Sequence, residues 1–314
     1  MSANIVLETK GLTRRFGDLL AVDDLSLSVR EGEIYGFLGP NGAGKTTSIR
    51  MMAGLLRPTS GEVRVMGEPV GVDTPQTRRL LGVCPQENVV YPDLTARENL
   101  EYTASLFEVP RGERRARADA ILAQLDLTEK AKVRASALSG GMKRRLTIGL
   151  ALVHDPPVVV FDEPEAGLDP QTRVSIREFI RGVRATKTVI LTSHNMDEVE
   201  RLADRVAIID QGRLVKEGTT QELKSSIGAG DHLEITLVGA SGAQRVADAL
   251  KGAFAGEVSL DERTVKLSGL DLARQFPAII ERVGKSGVEI QDVRYRGNTL
   301  EDAFIALTGR GLRE

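Results

Sequence analysis

The segment GPNGAGKT, residues 39–46, combines glycines, a lysine and a threonine at a spacing that suits phosphate binding. It follows the apolar run EIYGFL and precedes a helical pattern, which is the strand–loop–helix setting that this spacing requires. There the glycines let main-chain N–H groups converge on phosphates, and Lys45 adds a positive charge at the β and γ positions. The Thr46 hydroxyl is then placed for Mg²⁺. The segment therefore predicts a nucleotide-binding loop.

Polar side chains follow three further apolar runs, each of which is predicted to be a buried strand. Asp162 and Glu163 end the run VVVFDE, where Asp162 would hold Mg²⁺ and Glu163 would orient or deprotonate an attacking water. His194 follows TVILTS, and Gln86 follows LLGVCP. Because α/β folds bind ligands at the carboxyl ends of their strands, we expect these four side chains to gather near the γ-phosphate.

A second segment, SALSGGMKRRL at residues 136–146, also has features of an anion site. Ser139, Gly140 and Gly141 open a predicted helix, and the N–H groups at a helix N-terminus attract negative charge. The same residues would equally serve as an ordinary helix cap. Taken alone, the segment leaves both interpretations open.

Length and composition limit the class of protein. The chain has 314 residues, 41% hydrophobic and 27% charged, enough for a large domain with a smaller companion. With 42 basic and 44 acidic residues the net charge is −2, and aromatic content is 4%, so nothing favours nucleic acid as a partner. The lone Cys84 is expected to be a small buried residue. No stretch has the pattern of a signal peptide or a membrane span, so we expect a cytoplasmic chain whose membrane role would need a partner subunit.

The pattern of apolar residues predicts the elements that position these segments. The chain opens with antiparallel strands, and residues 74–135 are predicted to be largely helical, with Thr95 and Glu98 spaced as a capping box. Apolar strands then alternate with helices, which predicts a parallel sheet covered on both faces and ending in an edge hairpin at QGRLVKEGT. The strands are predicted at 157–161, 188–192 and 205–210, and the helices at 139–153, 171–185 and 196–203.

Composition shifts to small residues near KSSIGAGD, residues 224–231, which predicts a linker. Beyond it the pattern predicts a small α+β domain of the split βαβ kind with no chemistry of its own. Its strands are predicted at 232–239, within 257–267 and at 288–296, and its helices at 241–252, 270–285 and 299–309. The predicted domain boundaries are therefore 1–223, a linker at 224–230, and 231–314.

The motifs occur together in an order that resembles the ATP-binding subunits of ABC transporters. The phosphate loop, Gln86, LSGGM, FDEP, GLDP and His194 carry this resemblance, which covers residues 4–222. It implies an α/β fold of the P-loop NTPase cassette type, with a parallel core sheet, an antiparallel N-terminal β subdomain and a helical subdomain, followed by the small C-terminal α+β domain. It also implies hydrolysis of ATP with Mg²⁺.

The resemblance gives each site residue a role. Glu163 is implied to be the general base, His194 a sensor of the γ-phosphate, and Gln86 the link from the catalytic site to the membrane subunits. Thr46, Gln86 and Asp162 are implied to serve Mg²⁺. The residues implied to contact ATP are Phe16, which stacks on adenine, Gly39, Pro40, Asn41, Gly42, Ala43, Gly44, Lys45, Thr46, Thr47, Ser139, Gly140, Gly141 and, at the dimer contact, Asp169.

In that family the segment similar to LSGGM binds the ATP held by a second subunit, so two cassettes pack head to tail. The resemblance therefore implies a second copy of this chain as partner. Met142 and the ending YRGNTLEDAFIALTGRGLRE are similar to ABC-2-type exporters, including the daunorubicin-resistance and sodium-export families. This branch implies a separately encoded transmembrane permease, and a regulatory or dimer-stabilising role for the C-terminal domain.

The sequence departs from the family at EPEAGLDP, where Glu165 and Ala166 stand in place of the Thr and small polar residue that are common there. A carboxylate so close to the γ-phosphate is unfavourable unless it points away or meets a cation. The leading hypothesis is an ATPase motor for export, held at the cytoplasmic side of the membrane by its permease. An importer subunit and a soluble ABC ATPase unconnected with transport are the alternatives.

Overall fold

The computed structural model describes residues 4–227, 230–251, 256–269 and 272–309. The chain separates into two compact units, the first extending to Thr220 and the second starting at Gln221. The predicted linker at 224–230 overlaps the end of a helix, Thr220–Ser225, and its residues 228 and 229 lie outside the described residues. Residues 252, 270–271 and 310–314, which belong to predicted C-terminal segments, also lie outside them.

The first unit contains the predicted nucleotide-binding loop and the polar strand ends. Its strands are β1 (Ile5–Phe16), β2 (Leu19–Arg30), β3 (Ile34–Leu38), β4 (Ser60–Val65), β5 (Glu68–Pro69), β6 (Leu81–Cys84), β7 (Val158–Asp162), β8 (Thr188–Ser193), β9 (Arg205–Asp210) and β10 (Arg213–Thr219). Its helices are α1 (Lys45–Met52), α2 (Ala96–Leu106), α3 (Arg111–Gln124), α4 (Gly140–Leu152), α5 (Pro170–Val183) and α6 (Met196–Leu202). A further helix, α7 (Thr220–Ser225), belongs to the second unit except for its first residue.

A six-stranded sheet forms the centre of the first unit, in the order β10-β9-β3-β8-β7-β6. The strands β9, β3, β8, β7 and β6 run parallel, and β10 pairs antiparallel with β9 at the edge. Every residue of β3, β7 and β8 is buried, as expected when both faces of a parallel sheet are covered. The predicted parallel sheet and edge hairpin are confirmed, and the loops after β3, β6, β7 and β8 meet at one sheet edge.

A second, antiparallel sheet has the order β2-β1-β4-β5. Its inward side chains, among them Leu7, Leu25 and Val63, share one hydrophobic core with Phe37 of β3 and Ile49 of α1. The antiparallel N-terminal subdomain predicted from the alternating pattern is therefore confirmed, and its core supports the strand and helix that flank the phosphate loop.

Residues 74–135 are helical from α2 onward, but the short helix Pro75–Leu80 and strand β6 precede α2. The predicted capping box is present: Thr95 Oγ1 accepts a hydrogen bond from the Glu98 N–H at 3.2 Å, and Glu98 accepts one from the Thr95 N–H at 2.8 Å. Because β6 is the outer strand of the central sheet, it brings Gln86 to the same edge as the other strand ends.

The second unit has the predicted split βαβ topology. Its elements are β11 (Asp231–Leu237), α8 (Ala243–Leu250), β12 (Gly256–Asp261), β13 (Thr264–Gly269), α9 (Leu272–Lys285), β14 (Ile290–Gly297) and α10 (Leu300–Thr308). The antiparallel sheet has the order β12-β13-β11-β14, and inward residues such as Leu233, Ile235 and Val265 pack on α8 and α9. Among the described helices of the whole chain, none combines the length and apolar character needed to span a bilayer.

Candidate active site

The phosphate loop connects β3 to α1, and two of its glycines are required by close approaches of main chain. Gly44 has φ of +98°, and a Cβ there would lie 2.5 Å from the carbonyl oxygen of Ala21. A Cβ on Gly39 would lie 2.4 Å from the carbonyl oxygen of Ile209. Side chains at these positions would force the loop outward, so the glycines keep its N–H groups beside the start of α1.

Lys45 is buried, and its Nζ donates hydrogen bonds to the carbonyl oxygens of Gly39 at 2.7 Å and Pro40 at 3.1 Å. Burial lowers the pKa of Lys45, while the nearby carboxylates of Glu163 and Asp162 partly oppose this change. An ammonium group held against the loop in this way is placed to meet an anion entering the curve of the loop.

A cavity of about 510 Å³ lies beside this loop. The residues lining it include Phe16, Leu19, Leu20, Ala21, Pro40, Asn41, Gly42, Gly44, Lys45, Thr46, Thr47, Gln86, Glu163 and Gln211. One face of the Phe16 ring is covered by the Arg14 guanidinium, at 4.4 Å from the ring centroid, and the side chain is 43% exposed. This combination of an exposed aromatic ring and a loop for phosphates suits a purine nucleotide.

Oxygen donors gather where β7 ends. Asp162 is buried, its Oδ2 lies 3.5 Å from the Thr46 hydroxyl, and its Oδ1 accepts a hydrogen bond from Thr192 Oγ1 at 2.5 Å. A hydroxyl and a carboxylate, with the amide of Gln86 nearby, are the hard oxygen donors that Mg²⁺ prefers. The set is small, which fits an ion that completes its coordination with water and substrate phosphates.

Glu163 is held firmly although it lies in a loop. Its main chain has φ of +45°, an uncommon value for a residue other than glycine, and its N–H donates to the Thr192 side-chain and main-chain oxygens at 3.0 and 3.1 Å. Its carboxylate accepts a hydrogen bond from Gln86 Nε2 at 3.1 Å and lies 3.1 Å from His194 Nδ1. The structure therefore brings together Gln86, Glu163 and His194, and strain of this kind is typical of functional sites.

Ser139, Gly140 and Gly141 are absent from the lining of this cavity. Ser139 caps α4 by accepting a hydrogen bond from the Met142 N–H at 3.3 Å. A Cβ on Gly140 would meet nothing within 4 Å, so the start of the helix is open on that side. The cap interpretation is thus part of the local geometry, and the open side of the helix start is compatible with the anion-site interpretation as well.

Asp169 likewise caps a helix, α5, and is exposed. Its carboxylate accepts hydrogen bonds from the Thr172 N–H at 2.9 Å and from Thr172 Oγ1 at 2.6 Å. These bonds lower the pKa of the carboxyl and fix its position at the surface.

Glu165, which departs from the family pattern, meets a cation. The side chain is 2% exposed, and its carboxylate accepts two hydrogen bonds from Arg177 of α5, at 3.0 Å and 3.4 Å. The bidentate pair turns the charge of Glu165 toward α5 and neutralises it there. The extra carboxylate is therefore compatible with a phosphate site at the loop of residues 39–46.

Three residues of this region were missed by the sequence prediction. Thr192 lies inside the apolar run of β8, and a hydroxyl at that position was the available signal. Gln211 lines the cavity from the turn between β9 and β10, and no sequence pattern marks it. Arg144 is buried in α4, three and four residues before the buried Thr147 and Ile148. A charged residue on the buried face of a helix was the signal that could have identified it.

Comparison with known proteins places this geometry in a family. Residues 22–166 match the family described as "ABC transporter". The chain is 40% identical over 310 residues to the Nod factor export ATP-binding protein I of Burkholderia orbicola (strain AU 1054), covering 98% of this chain and 98% of that protein. The chain belongs to the ATP-binding proteins of ABC transporters.

This ABC protein is also 36% identical over 308 residues to the daunorubicin resistance ATP-binding protein DrrA3 of Streptomyces coeruleorubidus, covering 98% of this chain and 97% of that protein. A solved structure of the ATP-binding cassette MJ0796, a dimer in a post-hydrolysis state bound to ADP and Pi, matches with a TM-score of 0.62 and 27% identity over 68% of this chain and 98% of that chain. The ABC protein is therefore an ATPase with a P-loop NTPase cassette, and the exporter and drug-resistance names of its relatives confirm the resemblance drawn from the motifs.

Proposed function

We propose that this ABC protein is the motor subunit of a membrane exporter, working as a head-to-tail dimer with a separate permease. The observation that carries the proposal is the position of Glu163, whose carboxylate contacts both Gln86 and His194 beside the phosphate loop. The export function of a relative 40% identical along the whole chain supports the direction of transport.

The cavity supports a specific pose for ATP. Adenine would stack on the face of Phe16 opposite Arg14, and the phosphates would take the N–H groups of residues 42–47. Lys45 would exchange its carbonyl acceptors for β- and γ-phosphate oxygens, which hold its charge better because they are anionic.

Hydrolysis would then depend on positioning and charge rather than on covalent chemistry. Glu163 accepts a proton from the water that attacks the γ-phosphate, and the contacts with Gln86 and His194 fix the direction of its carboxylate. His194 also reaches the γ-phosphate, so the surroundings of its imidazole ring change when that phosphate is released. Thr46, Gln86 and Asp162 would hold Mg²⁺, which supplies positive charge to the phosphate oxygens.

The segment that begins α4 fits the ATP of a second copy. Its capped N-terminus presents N–H groups at the surface, away from the lining of the chain's own nucleotide cavity. Each copy would thereby complete the site of the other, with Asp169 at the contact. ATP would hold the dimer together, and hydrolysis would weaken it because the γ-phosphate is the shared ligand.

An apolar groove next to Gln86 suits the permease. It has a volume of about 480 Å³, and Leu55, Val89 and Tyr91 line it while being 46–59% exposed. Val89 and Tyr91 of this groove lie three and five residues after Gln86 in the chain. A permease helix seated in the groove would therefore be linked to the catalytic site through the segment that carries Gln86. This contact would place the protein on the cytoplasmic side of the membrane as a peripheral subunit.

The test is Glu163→Gln in the full chain. ATP affinity should stay within about threefold of wild type while turnover falls by about 10²–10⁴, the range expected when a general base is removed. Size-exclusion chromatography with Mg·ATP should then find a dimer. Glu178→Gln, an exposed carboxylate on α5, is the matched control. Wild-type turnover in Glu163→Gln would disprove the general-base assignment.

A further inference from the structure

Arg144 makes five hydrogen bonds with main-chain carbonyl oxygens of two loops, although it lies on neither loop. Its Nη1 donates to Pro85 O at 2.5 Å and Gln86 O at 2.9 Å. Its Nη2 donates to Asp162 O and Glu163 O, each at 3.0 Å, and its Nε donates to Pro164 O at 2.9 Å. The side chain is 2% exposed.

The chemistry of the guanidinium matches this set of acceptors. Arginine carries five N–H donors in a rigid planar fork, and here its donors face carbonyl oxygens on two sides. Lysine carries only three donors on a single nitrogen and could not satisfy five acceptors spread over two loops. A bond between a charged donor and a carbonyl is stronger than a neutral one, so the buried fork ties the loops firmly.

The two loops carry the groups that contact one another beside the phosphate loop. The carbonyls of Gln86 and Glu163 are direct acceptors, and the side chains of the same two residues meet at 3.1 Å. The helix that supplies Arg144 begins at Gly140, one turn earlier, with the cap of Ser139. One side chain thus connects both catalytic loops to the start of α4.

We propose that Arg144 is a positioning residue for hydrolysis, which sets Gln86 and Glu163 at a fixed place relative to the start of α4. The inference rests on the proposed function in one respect, namely that the start of α4 contacts the ATP of a second copy. In that arrangement the start of α4 contacts the ATP bound by the partner. The side chain of Arg144 then connects α4 to the groups that face the chain's own ATP. Arg144 itself does not line the cavity beside the phosphate loop.

Steady-state ATPase kinetics of Arg144→Gln and Arg144→Lys in the full chain test the proposal. A misplacement of about 1 Å costs roughly 10² in rate, so we expect kcat to fall by that order in Arg144→Gln. KM should stay within about threefold, because the phosphate loop is unchanged, and one ATP should still bind per chain. Arg144→Lys should remain at least about tenfold slower than wild type, because it keeps the charge but loses the fork.

Arg145→Gln is the matched control, since Arg145 lies next to Arg144 on α4 and donates to Leu125 O, outside the catalytic loops. Its kcat should stay within about twofold of wild type. Loss of ATP-binding stoichiometry in parallel with kcat would mean that Arg144 only maintains the fold, and would overturn the proposal. A wild-type kcat in Arg144→Lys would overturn it as well, because charge alone would then suffice.

The double variant Glu163→Gln, Arg144→Gln separates this inference from the proposed function. We expect ATP-dependent dimers to persist in the double variant, because the groups that bind phosphate are intact. Dimers in Glu163→Gln that are lost in the double variant would assign Arg144 to dimer formation and overturn its positioning role. Failure of Glu163→Gln itself to dimerise would count against the proposed dimer, while the kcat and KM comparison would still decide the role of Arg144.

Discussion

At the scale of single residues, two carboxyl groups lie close together. One belongs to Glu165, which is buried two positions after Glu163, and the other to Glu198. Glu198 of α6 is part-buried, and burial followed by the neighbouring Glu165 raises its pKa to about 7. The charged groups facing Glu198 are Glu165 and Arg173, and Glu165 also pairs with Arg177. Ser193 and Asn195 donate hydrogen bonds to Glu198 at 3.1 Å and 3.2 Å. Burial and the neighbouring carboxyl of Glu165 outweigh the opposing charge of Arg173, which favours a proton on Glu198 near neutral pH.

This arrangement predicts a pH-dependent stability. Above the ordinary carboxyl pKa of 4.5 the unfolded chain loses the Glu198 proton, whereas the folded chain keeps it until about pH 7. The protonated carboxyl of Glu198 contributes its full stabilisation below pH 4.5, and this contribution is lost as the pH rises through about 7. The reason is that the folded state binds more protons than the unfolded state between these two pH values. Glu198→Gln cannot lose a proton, so its melting temperature relative to wild type should increase from pH 5 to pH 8.

Thermal unfolding monitored by circular dichroism across that range measures the effect. Glu178→Gln, a substitution at an exposed position of α5, should show a constant difference from wild type. A constant difference for Glu198→Gln as well would mean that the carboxyl pair does not share a proton.

At the scale of elements, helix α4 serves two purposes with one N-terminus. The Ser139 cap stabilises the helix, and the same turn presents the N–H groups that we assign to the partner's ATP. Removing such a cap costs about 1 kcal/mol, so a substitution there changes stability as well as binding. A test of the binding role has to keep the cap.

Ser139→Asp and Ser139→Asn meet this condition, because Asp and Asn cap helices about as well as Ser. In the Glu163→Gln background, Asp should abolish the ATP-dependent dimer, since its charge repels a phosphate, whereas Asn should leave a dimer. Both variants should bind ATP as monomers with the affinity of the parent. Equilibrium dialysis and size-exclusion chromatography measure the two quantities. Weaker ATP binding by the Ser139→Asp monomer would assign this segment to the chain's own nucleotide.

At the scale of the whole molecule, the first unit separates its nucleotide cavity from its apolar groove by the segment that carries Gln86. The cavity is lined by the phosphate loop, and the groove by mostly apolar side chains, among them Leu81, Val89 and Tyr91 from either side of Gln86 along the chain. His154 lines this groove as well, stacked on Phe107 at 3.8 Å, and burial lowers its pKa to about 4, so it is neutral there. Apart from Arg78, the side chains that line the groove are apolar or uncharged, which favours contact with a helix from a membrane protein.

Val89→Asp tests the groove. The substitution should abolish co-purification with the co-expressed permease subunit, because it would bury a charge in the contact. ATP binding by the isolated chain should stay within about twofold of wild type. Val215→Asp, which alters an exposed valine on β10 away from the groove, is the control and should keep the permease. A permease complex that survives Val89→Asp would place the contact elsewhere.

Much of the fold follows from local pattern. Continuous apolar runs predicted β7 and β8 because strands buried on both faces are mostly apolar, and alternation predicted β11 because only one of its faces is buried. The strand β6, inside the largely helical stretch 74–135, was predicted from the apolar run before Gln86, although four residues have no distinct period. The linker at 224–230 and the boundaries built on it stay predictions.

The sequence by itself determined where the phosphate loop is predicted, because its glycines and Lys45 are local in sequence and their spacing is dictated by main-chain geometry. It also indicated that Glu165 needed a cation, but could not say which one. Only the tertiary structure decided that Arg177 neutralises Glu165 and that Arg144 ties two catalytic loops to α4. These contacts join positions 12 to 59 residues apart, and such pairings depend on how helices pack against the sheet rather than on any local pattern.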